Sequence, residues 1–384
     1  MKHIAFVIPT LDRLGGAENQ VILLAGGLLA RKWKVSVVTL SGNGGEAARQ
    51  LTAAGAGFLT LNMQKGLLDP RGWLRFRHWL VNERPDLVHA HLPHAVWMAR
   101  WSCLLTPVPA QVDTIHTSDI GSLGRRIGYR LSSRLPARVC AVSQDVAKAY
   151  SSAGMVSSST LTVLPNGIDL NYWRPETTVR ISMRKQLGFA DEFVWLAAGR
   201  LEPVKDYPTL LSAMTELPDQ VHLLVAGAGS MNGQLRRFVD EAGLQKRVRF
   251  LDFQSDVRPY MRAADAFVLS SRWEGLPGCL MEAGACSLPM VATDVAGTRE
   301  IIDSGRTGFL VAPESPCALR QGMRRTMEMR PEDRTAMGTR ARQWMVEHYA
   351  LPSVLDRWET LYRDLLDGCL HGRGIPISKA PDHR

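Results

Sequence analysis

Short runs of β-branched residues alternate with longer helical patterns along most of this 384-residue chain. The first predicted strands are Ile4–Ile8, Val35–Leu40, Leu87–Ala90, Val112–Ile115 and Val139–Val142. The alternation then begins again, with predicted strands Val194–Ala198, His222–Ala226, Arg249–Leu251, Ala266–Leu269 and Met290–Thr293. Strands that alternate with helices form parallel sheets whose two faces are both covered. The sequence therefore predicts an α/β protein with two Rossmann-like, doubly wound domains.

Turn-forming residues at Leu164–Asp169 predict the end of the first domain. We expect an N-terminal domain over 1–170 and a C-terminal domain over 171–350. A helical pattern at about 353–367 has no evident place in the second sheet, and the polar residues 368–384 are expected to form a flexible tail. Because ligands bind at the carboxyl ends of strands in such folds, the two domains are expected to face a shared cleft.

The net charge of +9 is concentrated in the first domain. Residues 1–173 contain 18 Lys+Arg and 10 Asp+Glu, which gives +8 and leaves the remainder near neutral. Arg126, Arg130 and Arg134 recur every four residues and form one basic stripe if the segment is helical. Trp73 and Arg75 belong to a second cluster that mixes cations with bulky apolar residues. Both clusters fit an acceptor or membrane side that docks on anionic lipid, and an ordinary solvated helix face explains them equally well.

Other classes of partner and location are less compatible with the sequence. No nucleic-acid-binding motif accompanies the positive charge, so no nucleic-acid partner is expected. The apolar run that follows Lys2 stops at Pro9, and no later run is long enough for a membrane helix. The six cysteines show neither a C-x-x-C pair nor zinc spacing. We therefore expect a cytoplasmic protein that is at most peripheral on the inner face of the membrane.

Two short motifs at strand ends are suited to phosphate. Gly15 and Gly16 begin the first predicted helix, where backbone amides can approach an anion. The G-x-G-x-x-G fingerprint is absent, which argues against a nicotinamide enzyme. Arg200 and Lys205 follow the first strand of the second domain and could bind a diphosphate, although a pair of ordinary surface charges fits them as well.

The segment Glu274-Gly275-Leu276-Pro277 leads from a predicted strand into a helix that carries Glu282. Pro277 suits the first helical position, and Glu282 is expected about two turns into the helix. The two carboxylates would then lie up to roughly 12 Å apart along the helix axis at 1.5 Å per residue. This separation is too long for a glycosidase pair that acts on one bond. We expect the two acids to bind different parts of an elongated ligand, such as a sugar nucleotide.

Two predicted strands of the first domain end in histidines. His91 closes the strand that begins at Leu87, and His116 follows the next one. A single histidine is more often structural than catalytic, so position alone leaves both readings open.

Several of these motifs resemble those of retaining glycosyltransferases of family 4, which have the GT-B fold. The resemblance rests on Gly15-Gly16-Ala17-Glu18, Asn166-Gly167-Ile168-Asp169, Gly199-Arg200-Leu201 with Lys205, and Glu274-x7-Glu282, in the family's order and spacing. It covers about residues 1–367. Two departures stand out: Leu276-Pro277 replaces the Phe-Gly common in relatives, and Asp206 follows Lys205 where the family usually has Gly.

The resemblance implies roles for individual residues. Glu274 and His116 would be catalytic, beside the donor sugar and the leaving phosphate. Donor-binding residues would be Gly15, Gly16, Arg200, Lys205, Gly275, Leu276 and Glu282, with Glu282 on the ribose and Arg200 and Lys205 on the diphosphate. The terminal helix, 351–367, would return to the N-terminal domain.

The function implied is transfer of a hexose-type sugar, with retention, from a nucleoside-diphosphate sugar to a glycan or lipid-linked acceptor in cell-surface polysaccharide synthesis. A UDP-sugar is the favoured donor, and a GDP-sugar is the alternative. No Asp-x-Asp metal clamp occurs, so the reaction is expected to need neither metal nor cofactor. Alternatives are a GT-B-fold epimerase or phosphorylase, or a non-catalytic basic lipid-binding relative.

Overall fold

The computed structural model describes residues 1–12, 15–64 and 69–371. The chain divides into two compact units. Unit 1 contains Met1–Gly167 and the segment that starts at Leu351, and unit 2 contains Ile168–Ala350. Most of the tail anticipated for 368–384 lies outside the described residues.

Unit 1 is built on a parallel sheet of seven strands in the order β3-β2-β1-β4-β5-β6-β7. The strands are β1 His3–Ile8, β2 Lys34–Thr39, β3 Gly57–Thr60, β4 Leu87–His91, β5 Ala110–Ile115, β6 Arg138–Ala141 and β7 Leu161–Val163. The helices between them are α1 Gly16–Ala30, α2 Gly45–Ala53, α3 Pro70–Glu83, α4 Pro93–Leu105, α5 Leu123–Ser132 and α6 Gln144–Ser152. Strands β1, β4 and β5 are buried along their whole length, as a sheet covered on both faces requires.

Unit 2 repeats this architecture with six parallel strands in the order β10-β9-β8-β11-β12-β13. The strands are β8 Phe193–Ala198, β9 Val221–Ala226, β10 Val248–Asp252, β11 Ala266–Leu269, β12 Met290–Thr293 and β13 Gly308–Val311. The helices are α7 Thr177–Leu187, α8 Tyr207–Thr215, α9 Asn232–Glu241, α10 Arg258–Ala263, α11 Gly278–Ala285, α12 Thr298–Ile301, α13 Pro316–Met327 and α14 Pro331–Tyr349, with a 3-10 turn at Pro203–Lys205.

The last helix, α15 (Leu351–His371), belongs to unit 1 and completes its core. Its residues Trp358 and Tyr362 are buried in the same apolar cluster as Phe6 and Trp33. Glu359 anchors the helix by accepting hydrogen bonds from Arg363, from the Trp33 indole at 3.0 Å and from Arg31 at 2.9 Å. These donors hold the pKa of Glu359 at about 2. The helix that lacked a place in the second sheet therefore packs in unit 1.

The predicted α/β class and the two doubly wound sheets are confirmed, and all ten predicted strands are strands. Three short strands, β3, β7 and β13, were not predicted. All three are edge strands of their sheets, and they are four, three and four residues long. The chain passes from unit 1 to unit 2 between Gly167 and Ile168, three residues before the expected boundary.

Candidate active site

The strand order of unit 2 changes direction between β8 and β11. From β8 the chain first adds β9 and β10 on one side, and then β11, β12 and β13 on the other. Because all strands are parallel, the loops after β8 and β11 emerge at the same sheet edge on either side of this switch point. Ligands of doubly wound folds bind at such a point. The loop after β8 carries Arg200 and Lys205, and the loop after β11 carries Glu274.

The structure brings Lys205 and Glu274 into direct contact at this point. The Lys205 Nζ donates to Glu274 Oε1 at 2.5 Å. Ser271, which the sequence reasoning did not single out, donates its hydroxyl to the same oxygen at 2.6 Å. The Ser270 hydroxyl donates to the Lys205 carbonyl oxygen at 2.8 Å, which ties the two loops together. The strand-end serines are thus part of the site, and their only sequence signal was their place after β11.

Burial and charge act in opposite directions on Lys205. Burial by itself lowers the pKa of the amine, and the adjacent Glu274 carboxylate more than reverses this, so the pKa of Lys205 is raised. Lys205 therefore remains a cation at neutral pH although its side chain is only 14% exposed. Arg200, in contrast, is exposed. A buried and an exposed cation accordingly follow the same strand.

The backbone of the loop after β11 is packed closely against its neighbour. Gly275 and Leu276 are buried, and Gly297 has φ of 76°. A Cβ at Gly297 would collide with the Gly275 carbonyl oxygen, so only glycine fits there. This contact fixes the segment that follows Glu274.

Glu282 lies on helix α11. The helix begins at Gly278 with Pro277 as its N-cap, so Glu282 lies one turn into it, and the expected two turns were wrong. The Glu282 carboxyl group forms no hydrogen bond or ion pair with another side chain among the described residues. Burial raises the pKa of Glu282 to about 7. An acid with this pKa changes its charge near neutral pH and can accept hydrogen bonds from hydroxyl groups once ionised.

In unit 1, the sheet changes direction between β1 and β4, and the predicted phosphate motif follows β1. Gly15 is the N-cap of α1, and its amide donates to Glu18 Oε2 at 3.1 Å. Gly16 is the first helical residue, and a Cβ there would meet no atom within 4 Å. The N-terminus of α1 therefore has open space beside it, although the amide of Gly15 is already engaged.

Three histidines gather at the carboxyl ends of β4 and β5. His91 Nδ1 lies 2.9 Å from His116 Nε2. His89 is held on both sides, by Tyr362 at 2.8 Å and by Thr114 at 2.7 Å. Burial lowers the pKa of all three rings, that of His116 to about 4, so each is neutral at pH 7. The sequence located His91 and His116 but gave no signal that they form a pair.

The predicted basic stripe is only partly formed. Helix α5 ends at Ser132, so Arg126 and Arg130 lie on it and Arg134 lies beyond it; a single helical stripe through all three was wrong. What the helix does expose is an apolar stripe, Leu123, Ile127 and Leu131, with 69%, 50% and 78% of their surfaces accessible. The helix thus buries Tyr129 and exposes its aliphatic side chains.

The second cluster lies on α3, where Arg75 is exposed and Trp73 is half-buried. Arg75 donates to the Leu61 carbonyl oxygen at 2.6 Å, and Phe76 is fully buried in the core. Trp73 instead lines a shallow apolar groove of about 430 Å³ between α3 and α4. The other residues lining the groove are Pro70, Leu74, Arg77, Ser102 and Leu105.

Metal sites and membrane spans were sought among the described residues. No group of three or more His, Cys, Asp or Glu side chains in that part of the chain is placed to hold a metal ion. Within the same residues, every helix is too short or too polar to cross a bilayer.

Comparison with known proteins adds independent information. Residues 14–172 match the family described as Glycosyltransferase Family 4, and residues 179–344 match Glycosyl transferases group 1. A UDP-Gal:alpha-D-GlcNAc-diphosphoundecaprenol alpha-1,3-galactosyltransferase of Escherichia coli is 26% identical over 63% of this chain and 66% of its own length. The lipopolysaccharide core biosynthesis glycosyltransferase LpsE of Rhizobium meliloti is 26% identical over 90% of this chain and 94% of its own.

Solved structures show the same fold. The Anabaena protein Alr3699/HepE, crystallised with UDP and glucose, superposes with a TM-score of 0.85 at 24% identity, covering 94% of this chain and all of that one. The two sheets of seven and six parallel strands are those of the GT-B fold. With both family models matched in order along the chain, the protein belongs to glycosyltransferase family 4, whose members use a nucleotide sugar as donor.

Proposed function

We propose that this enzyme transfers a hexose-type sugar, with retention of configuration, from a nucleoside-diphosphate sugar to a glycan or lipid-linked acceptor in cell-surface polysaccharide synthesis. The observation that carries the proposal is the Lys205–Glu274 ion pair at the switch point between β8 and β11. It places a permanent cation and a carboxylate at the position where doubly wound folds bind nucleotides.

The leaving group explains why cations are needed there. When the bond between the anomeric carbon and the phosphate oxygen breaks, negative charge develops on the nucleoside diphosphate. Lys205, already charged and held by Glu274, is preorganised to stabilise that charge, and exposed Arg200 adds a second cation. Two cations supply this stabilisation without a metal ion, so we propose a metal-independent reaction.

Roles for the remaining residues follow from the chemistry of their groups. Glu274 accepts hydrogen bonds from the donor sugar near the reacting carbon, and the Gly275 and Leu276 amides adjoin it. Pro277 has no N–H, so it interrupts the amide donors between Leu276 and the first residues of α11. Glu282 accepts from the ribose hydroxyls. In unit 1, the Gly16 amide at the start of α1 and His116 donate to phosphate or sugar oxygens.

The relatives support the proposed substrates. The Escherichia coli relative is named for a UDP-galactose donor and a diphosphoundecaprenol-linked acceptor, and LpsE is named for lipopolysaccharide core synthesis. HepE was crystallised with UDP and glucose. These names favour a UDP-hexose over a GDP-sugar and a lipid-linked acceptor over a soluble one.

A donor panel tests the proposal. The purified protein is mixed with UDP-glucose, UDP-galactose, UDP-N-acetylglucosamine and GDP-mannose, each with EDTA and with added Mg²⁺ or Mn²⁺, while donor hydrolysis and melting temperature are followed. We expect one UDP-sugar to be hydrolysed slowly and to raise the melting temperature equally in EDTA. If no sugar nucleotide does either, the proposed transferase activity is refuted, and activity only with added metal would refute metal independence.

Helix α5 supports the lipid-linked acceptor by a separate observation. Leu123, Ile127 and Leu131 recur every four residues on its exposed side, and Arg126 and Arg130 flank them. Monomeric proteins seldom expose an apolar stripe bordered by cations unless it binds something. An interfacial helix has this composition, with apolar residues in the acyl boundary and cations at anionic headgroups. We infer that α5 docks the enzyme on an anionic membrane surface.

Vesicle sedimentation tests this inference. Wild-type protein is expected to bind vesicles containing phosphatidylglycerol and to be released as salt rises, because each nearby cation contributes roughly 1 kcal/mol that salt screens. Leu123→Asp with Leu131→Asp should abolish binding, and Arg126→Gln with Arg130→Gln should weaken it. The matched control is Arg237→Gln with Arg324→Gln, two exposed cations of unit 2. Equal binding by all of these proteins would show that α5 is only a solvated helix.

A further inference from the structure

In the hydrogen bond between His91 and His116, one ring must donate its N–H to a lone pair on the other ring. The two nitrogens, His91 Nδ1 and His116 Nε2, are 2.9 Å apart, which is a hydrogen-bond distance. Burial lowers the pKa of both rings, so each is neutral and carries one proton at pH 7. A neutral imidazole has one donor and one acceptor nitrogen. Only two arrangements are therefore compatible with the bond.

In the first arrangement, His91 Nδ1–H donates to His116 Nε2. His116 then carries its own proton on Nδ1, and His91 Nε2 is a bare acceptor. In the second arrangement, His116 Nε2–H donates to His91 Nδ1. His91 then carries its proton on Nε2, and His116 Nδ1 is a bare lone pair. The first makes His116 a donor to other groups, and the second makes it a base.

The surroundings of His91 Nε2 favour one of these two arrangements over the other. This nitrogen is buried and has no hydrogen-bond partner among the described residues. The ring lies among other rings, with its centroid 4.0 Å from His89 and 5.8 Å from Phe6. In the second arrangement, a buried N–H group would have no acceptor in this environment. In the first arrangement, only an acceptor nitrogen is left without a partner. Buried N–H groups without a partner are rarer than buried acceptors without one, because no hydrogen bond compensates for the loss of their hydration.

We propose that His91 is a positioning residue that donates its Nδ1–H to His116 and so fixes His116 in the Nδ1–H form. His116 Nδ1 makes no hydrogen bond within the described part of the chain, so this N–H is available to a ligand. Its partner would be an acceptor oxygen, either a sugar hydroxyl or an oxygen of the leaving diphosphate. This last step rests on the proposed function, while the His91–His116 bond does not. His116 then acts as a hydrogen-bond donor and not as a general base.

A second layer holds His91 in place. His89 packs against it and is fixed at both nitrogens by Tyr362 and Thr114. Trp358 also packs against His89, with a centroid distance of 4.8 Å. Both aromatic residues come from α15, so the last helix of the chain supports the ring that sets the tautomer of His116.

The tautomer can be observed directly by NMR. The full chain is labelled with [15N]histidine, and long-range 1H–15N spectra, assigned with a His116→Gln variant, show which ring nitrogen is protonated. No substrate is present, so the result is independent of the proposed activity. Protonated Nδ1 with unprotonated Nε2 at His116 is the expected result. Protonated Nε2 at His116 overturns the proposal.

Two substitutions of His91 add a functional readout. His91→Phe removes the donor, and we expect His116 to become a mixture of tautomers and kcat to fall about 10-fold, the lower end of what loss of an orienting partner costs elsewhere. His91→Asn places an amide N–H near the position of Nδ1, and it should restore the Nδ1–H form and bring kcat to within about threefold of wild type. His94→Asn, at an exposed neighbour, is the matched control.

The outcomes distinguish the His91–His116 hydrogen bond from its proposed effect on catalysis. If His91→Phe changes the tautomer and leaves kcat unchanged, the catalytic consequence is refuted while the hydrogen bond stands. If His91→Asn is as impaired as His91→Phe although both melt at the wild-type temperature, donation by His91 is refuted as the cause. If no sugar nucleotide is turned over by any variant, the proposed function fails, and the NMR result still decides the tautomer.

Discussion

Replacing Glu282 by glutamine tests whether its environment favours the neutral acid. Burial raises the pKa of Glu282 from 4.5 to about 7. Between these values the carboxyl group ionises in the unfolded chain and stays protonated in the folded protein. The free energy of unfolding therefore falls as pH rises from about 4.5 to about 7 and stays lower above that. Below pH 4.5 both states are protonated, and the group has no effect.

The size of the effect follows from the two pKa values. The two pKa values differ by roughly 2.5, and at about 1.36 kcal/mol per pKa unit this difference corresponds to about 3 kcal/mol. Because the side chain retains contact with solvent, we reduce this to about 1–2 kcal/mol. For a unit of this size, each kcal/mol moves the melting temperature by roughly 2–4 °C. Glutamine keeps the shape of the side chain and carries no charge, so it should remove the pH dependence.

The assay is thermal melting of unit 2 within the full chain at pH 5, 6, 7 and 8. We expect Glu282→Gln to melt about 2–8 °C above wild type at pH 8, with the difference vanishing towards pH 5. Glu332→Gln, at an exposed glutamate, is the control and should show no such trend. A difference that is constant with pH, or a glutamine variant that is less stable than wild type at pH 8, would refute the reasoning.

Four further substitutions test other parts of the site. Lys205→Ala and Arg200→Ala should each lower kcat on the order of 100- to 1000-fold, as loss of one preorganised charge donor does, and a loss below tenfold in both would exclude them as the diphosphate-binding pair. Glu274→Ala should lower kcat far more than it weakens UDP binding by calorimetry, since its proposed ligand is the donor sugar; an equal loss of UDP affinity would contradict that role and show that its ion pair with Lys205 governs diphosphate binding instead. Gly297→Ala should destabilise unit 2 by about 1–3 kcal/mol in denaturant unfolding, because φ of 76° and the Gly275 carbonyl both exclude a Cβ, and wild-type stability would show that the loop adapts.

The central strands could be predicted because each is a short, continuous run of mostly apolar residues. β1, β4 and β8 are buried runs of mostly apolar residues bounded by turns, and this pattern has few alternatives. The three missed strands, β3, β7 and β13, are three or four residues long, and two of them, β3 and β13, begin at a glycine. Their strand state depends on pairing with a neighbour that is distant in sequence, and no local pattern records that pairing.

The site was predictable only one residue at a time. Lys205 and Glu274 could be named from their places after strands, because strand ends in parallel sheets converge on one edge. Their ion pair could not, since 69 residues separate them and contact depends on the path of two loops. The same limit applies to His91 and His116. For α5, the arginine spacing predicted a basic stripe, whereas the exposure of Leu123, Ile127 and Leu131 depends on which side of the helix is buried, and the sequence does not record that.

Helix α15 makes the order of synthesis matter to this enzyme. Domains usually fold as they emerge from the ribosome, at roughly 5–20 residues per second. Unit 1 leaves the ribosome first but lacks Trp358 and Tyr362 until about 200 further residues have followed, a delay of roughly 10–40 s. During this interval the faces of His89 and Trp33 that α15 covers remain open to water. Nascent unit 1 is therefore a natural client for chaperones, and a chain truncated before Leu351 should aggregate even though unit 2 is complete.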